Sequence, residues 1–74
     1  MKSKKYSAEY DATISLVDHE YWVALFTDKK GAKHIRMVSP ADAWKYDIQV
    51  GLLVKLRLLP YNKCKLIKVL QRPI

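Results

Sequence analysis

Residues 51–70 read GLLVKLRLLPYNKCKLIKVL, two apolar runs broken at Pro60-Tyr61-Asn62. In the first run Leu52, Val54, Leu56 and Leu58 alternate with Leu53, Lys55, Arg57 and Leu59, the period-two pattern of a strand with one buried face. Pro60 and Asn62 end it. The second run, KCKLIKVL, buries Cys64 and Leu66 and then slips by one residue, which predicts a β-bulge near Ile67. Joined by a hairpin at Tyr61-Asn62, the two strands hold leucines on one side and set Lys55 and Arg57 against Lys63 and Lys65 on the other. Such a ladder fits a phosphate backbone, or it guards an edge strand against aggregation.

Upstream, Tyr10, Ala12, Ile14 and Leu16 alternate with Asp11, Thr13 and Ser15 and predict a first strand with the former set inward. Asp18-His19-Glu20 is a polar turn. YWVALF follows as a second strand, with Val23 and Leu25 expected inward and Trp22 outward. Asp28-Lys29-Lys30-Gly31 turns the chain, and HIRMV predicts a third strand that buries Ile35 and Met37 and exposes His34 and Arg36. Ser39-Pro40 supplies an N-cap residue and a proline at the first helical position, so a short helix is expected over about 40–45, with Ala41 and Trp44 as its apolar side. Three strands, a helix and two strands make an all-β chain with the element order of a small five-stranded OB-fold barrel, its short helix between strands 3 and 4. An SH3-like barrel is the competing architecture, and the helix favours the first.

The 74 residues suffice for one domain, here expected over residues 9–74 as a monomer, with residues 1–8 a basic flexible arm carrying Lys2, Lys4 and Lys5. Half of the residues are hydrophobic, yet no apolar run approaches the roughly 20 residues that span a bilayer. The opening MKSKKYSAEYDA has no apolar stretch behind its basic start, so no secretory signal is expected and the cytoplasm is the expected location, with no membrane partner. Fourteen Lys and Arg against seven Asp and Glu give a net charge of +7. All seven acids lie between Glu9 and Asp47, whereas residues 48–74 carry six cations and no acid. That asymmetry points to a polyanion, of which RNA or DNA is the commonest.

Single-stranded nucleic acid is held by cations along its phosphates and by flat side chains under its bases. Trp22, His34 and Arg36 are the expected outer patch of strands 2 and 3, with a place for Trp22 as a satellite core residue under the N-terminal arm as the alternative; Lys55, Arg57, Lys63 and Lys65 are the expected phosphate contacts, and Tyr61 at a loop tip either stacks on a base or caps the barrel. His19 stands in the first turn beside this patch. Two histidines on separate elements, a lone Cys64 and no phosphate-cradling glycine loop compose neither a catalytic set nor a metal site, so no enzyme activity and no cofactor are expected. Leu53, Leu59, Val38 and Trp44, expected to be exposed, open a second reading: a small module, such as a phage or plasmid product, that docks on an acidic host protein.

Over residues 10–72 the chain also resembles bacterial and plastid translation initiation factor one, within the S-one-type OB domains. The likeness rests on Val23-Ala24-Leu25, on Lys33-His34-Ile35 where the family carries alanine-histidine-isoleucine, and on Gly51 to Asn62, where it has a glycine, an alternating strand and a proline-tyrosine-aspartate turn. This resemblance implies RNA binding and the small ribosomal subunit as partner. The chain departs from the family at Ser39-Pro40-Ala41-Asp42-Ala43-Trp44, apolar and slightly acidic where the family is basic, and at Leu52, which stands where the family has aspartate.

Overall fold

The computed structural model describes residues 9–73; the basic segment 1–8 and Ile74 lie outside them. Strands β1 (Glu9–Asp18), β2 (Val23–Asp28) and β3 (Lys33–Val38) precede helix α1 (Pro40–Tyr46), and β4 (Leu53–Leu59) and β5 (Lys63–Gln71) follow it. The strands close a barrel in the order β1-β2-β3-β5-β4. This is a small OB-fold, with its one short helix between the third and fourth strands. All pairings are antiparallel except the last to close, β3 with β5, which is parallel and only two residues long: Met37↔Lys63 and Val38↔Cys64. Since β4 pairs with both β1 and β5, Lys55 and Arg57 lie on an inner strand of the sheet and not on an edge.

Local chemistry sets the turns. Ser39 caps α1 by accepting from the Asp42 amide at 3.1 Å, Pro40 starts the helix, and Asp47 ends it with φ 51°, its own amide donating to the Ala43 carbonyl. Asp28 organises the β2–β3 turn: Oδ1 accepts from the amides of Lys30 and Ala32, both at 2.9 Å. Gly51, at φ 94°, enters β4 where a Cβ would lie 3.1 Å from Pro73, a position that needs glycine twice over. The β4–β5 hairpin turns through Tyr61 and Asn62 at φ 65° and 59°.

The core comprises Ala12, Ile14, Ala24, Phe26, Val38, Ala43, Ile48, Leu52, Val54, Leu56, Cys64 and Leu66. On β4 and β5 this is the face that the alternation predicts, and the β5 register slips past Ile67 as expected. On β2 and β3 the phase is the reverse of the expected one. Ala24 and Phe26 point inward, and residues opposite one another in an antiparallel ladder share a face, so their partners Arg36 and His34 turn inward while Ile35 and Met37 stand outside. In VALFTD both alternate sets are apolar, so hydrophobicity does not choose between them. Tertiary register does: Phe26 faces Ile14 across β1. A bulge on β1 between Ile14 and Leu16 likewise turns Leu16 out to 59% exposure and lets Val17 pack on the core. On α1 the buried residue is Ala43, with Tyr46 packed beside it; Ala41 is exposed and Trp44 is 77% exposed.

Burial pushes the Cys64 thiol up to about 12, with Asp42 adding to the rise and Arg36 opposing it. The thiol remains protonated at neutral pH and serves as a core residue.

The reversed phase can be measured. Phe26→Ala empties a fully buried site and is expected to cost about 3–5 kcal/mol, whereas Ile35→Ala on the outer face should stay within about 0.5 kcal/mol. Urea denaturation of the two variants decides, and a large loss at Ile35 with a small one at Phe26 would restore the opposite phase.

Candidate nucleic-acid interface

Two loops meet over the short β3–β5 pairing. In the β1–β2 loop, Asp18 Oδ1 accepts from the amides of Glu20 at 2.9 Å and Tyr21 at 3.2 Å, which carries the turn on to Trp22. Trp22 adopts φ 55°, and its carbonyl accepts from the Val38 amide at 2.8 Å. Across the seam the Met37 amide donates to the Asn62 carbonyl of the β4–β5 loop at 2.7 Å. Both loops are thus anchored to consecutive residues of β3. Between them lies a cavity of about 450 Å³, walled by Tyr21, Trp22, Met37, Pro40 and Leu59, with Lys63 and Cys64 on the β5 side.

Each loop holds an aromatic residue in the left-handed region, Trp22 in one and Tyr61 in the other. For a bulky side chain this region costs roughly 1–2 kcal/mol that glycine would avoid, and such strain concentrates at functional sites. Tyr61 is 85% exposed at its loop tip and Tyr21 69% exposed at the other. Trp22 is half-buried instead: it packs on the core, with its ring 5.7 Å from His19 edge-on and 6.3 Å from Trp44.

The expected patch of Trp22 with His34 and Arg36 does not form. Both β3 side chains start from the inward register and are satisfied there in part. His34 Nε2 lies 3.0 Å from Asp28 Oδ2, where an ionised carboxylate only accepts, so the ring N–H donates. Arg36 Nη1 donates to the Ile35 carbonyl at 2.8 Å, while its Nε is buried without a partner. Sequence reading missed Tyr21, because it ends the first turn at Glu20 and assigns Tyr21-Trp22 to a strand. The signal was Asp18, which caps the amides two and three residues on.

The cationic ladder is assembled as the hairpin predicts, with Arg57 opposite Lys65 and Leu59 opposite Lys63; the bulge sets Lys68 opposite Lys55. Strand β1 supplies acids to half of it. Asp11 lies between Lys55 at 3.3 Å and Lys29 at 3.4 Å, and Glu9 holds Arg57 at 2.9 Å. Lys55, then Lys29, keeps the Asp11 carboxyl below the usual carboxylate range. Lys63, Lys65 and Lys68 take part in no ion pair among the described residues, so the uncompensated charge runs along β5. Of the apolar residues expected outside, Val38 is buried, Leu53 and Leu59 are half-buried and Trp44 is exposed.

Among the described residues no group of three or more His, Cys, Asp or Glu is placed to hold a metal ion, and no helix is long and apolar enough to cross a membrane. Compared with known proteins, the chain matches no family model and no curated protein.

The β2–β3 turn lies at the other end of these strands from the mouth, and its stability depends on an ionised carboxylate. His34 foremost, then the Ala32 and Lys30 amides, hold the Asp28 carboxyl below its ordinary value against the opposing effect of burial. A lowered folded value means stability that is present above the unfolded pKa of about 3.9 and is lost as pH falls through the folded one. In urea titrations between about pH 2 and 6, Asp28→Asn should lose stability less steeply toward acid than the parent protein; equal slopes would remove Asp28 from the acid transition.

Proposed function

We propose that the protein binds single-stranded or unpaired RNA across the mouth between the β1–β2 and β4–β5 loops, with the backbone continuing along β5. The observation that carries this reading is a 450 Å³ cavity with exposed Tyr21 in one wall and, in the other, Leu59 and Lys63 at the two ends of the turn that holds exposed Tyr61, Lys63 beginning the uncompensated row Lys63, Lys65, Lys68. Bases stack on the tyrosines and one enters the cavity against Trp22 and Met37, while the lysines meet phosphates. Lys55 and Arg57 add field at the flank but share their charge with Asp11 and Glu9. The resemblance to translation initiation factor one makes the RNA of the small ribosomal subunit, in the cytoplasm, the first target to try. In that setting the protein works as a monomeric binding module without catalysis.

The strained aromatic gives a test that separates binding from folding. Tyr61→Gly relieves a left-handed tyrosine, so its stability should be unchanged or higher by about 1 kcal/mol, while binding of a labelled single-stranded RNA of about 10 nucleotides weakens by about 1–3 kcal/mol. Replacing Lys63, Lys65 and Lys68 together by glutamine should shallow the slope of log affinity against log salt by about 2, at about 0.7 per phosphate contact. The Lys55→Gln, Arg57→Gln pair should change it less. Fluorescence anisotropy at several salt concentrations measures both; an unchanged slope in the triple variant, or full affinity in Tyr61→Gly, contradicts the reading.

A further inference from the structure

On the outer face of β1-β2-β3 only Met37 also borders the RNA mouth. Register aligns Leu16, Leu25 and Ile35 in one row across three strands, with Val23 and Met37 in the next. Leu16 is 59% exposed and Ile35 62%. All three residues of the first row line a hollow of about 170 Å³, which shares Val23 and Ile35 with a second of about 470 Å³ that reaches Lys33, Arg36 and Asn62. Together they form a groove that crosses the strands. Helix α1 leaves it open, since its hydrogen bonds run to β5: Asp42 Oδ2 accepts from the Leu66 amide and Tyr46 donates to the Ile67 carbonyl.

We infer that this groove docks a segment of another protein that combines aliphatic anchors with carboxylates. Aliphatic side chains offer a base no stacking platform, whereas a contiguous apolar patch with a polar rim is the usual form of a protein contact. The rim selects the partner by charge. Lys33 lines the larger hollow and Lys63, the first of the β5 row, stands opposite Met37; neither is in an ion pair among the described residues. The one carboxylate at the groove, Asp18, is turned to its own loop amides. A second copy of the chain is a poor occupant, because it would set these cations against their equivalents on two molecules of charge +7 each. With the RNA mouth on the neighbouring side, the protein becomes an adaptor that joins RNA to an acidic protein.

The test is selection of a random peptide library displayed on phage against the full chain saturated with single-stranded RNA. Enriched peptides should pair Leu, Ile or Phe with Asp or Glu. Their binding should fall at least tenfold for Leu16→Ser with Ile35→Ser, and also for Lys33→Glu, while RNA binding by these variants persists. Ile35→Thr, which keeps the β-branched shape, is the second variant should the double serine change unfold the barrel. Enrichment of basic or purely apolar peptides, no enrichment, equal binding to the groove variants, or a concentration-dependent dimer that Leu16→Ser with Ile35→Ser abolishes would each overturn the inference. Loss of RNA binding in those variants would overturn it too, by making the row part of the RNA site.

Discussion

The two-residue parallel pairing of Met37 and Val38 with Lys63 and Cys64 is the constraint on which the rest of the structure depends. It is the shortest ladder in the barrel, yet it turns a five-stranded sheet into a closed one and thereby gives the chain a single interior. Closure also decides which loops become neighbours. The consecutive β3 amides donate to different loops, Met37 to Asn62 and Val38 to Trp22, so the loops that hold the strained aromatics are drawn to one end of the same pairing. The cavity between them follows from that geometry and needs no dedicated element.

Charge is distributed by the same topology. Because β4 lies between β1 and β5, its cations meet the acids of β1 on one side and the lysines of β5 on the other. Glu9 and Asp11 neutralise what they touch, and the field that survives follows β5 away from the mouth. Exposed ion pairs of this kind add little stability. Their effect here is to narrow a broad basic half of the sequence to one strand, next to the cavity and apart from the aliphatic rows of β1-β2-β3.

The sequence made β4 and β5 legible because only one alternate set in each is apolar, and the hairpin, the bulge at Ile67 and the Ser39-Pro40 helix start each carry their own local chemistry. For β2 and β3 such information is missing. Val23 and Leu25 are as apolar as Ala24 and Phe26, and His34 and Arg36 are tolerable inside only because Asp28 and the Ile35 carbonyl are there to receive them. The first of these partners is brought by the β2–β3 turn, and the second is the carbonyl of the preceding residue. The site follows the same division: alternation puts Trp22 with His34 and Arg36 on one outer face, where register turns the two β3 residues inward and Trp22 packs on the core, whereas Tyr61, Lys63 and Lys65, which depend on the legible hairpin, fall at the mouth. Tyr21 was hidden by a loop two residues longer than its polar composition suggests.

Amide chemical shifts followed by NMR during titration with single-stranded RNA test the central claim most directly. Binding at the mouth predicts the largest changes over residues 21–23, 37–39 and 59–65, continuing to Lys68, with Thr13 and Thr27 unmoved. Changes concentrated on Leu16, Leu25 and Ile35, or on the Glu9 to Asp11 segment with Lys55, and none at the two loops, would contradict it.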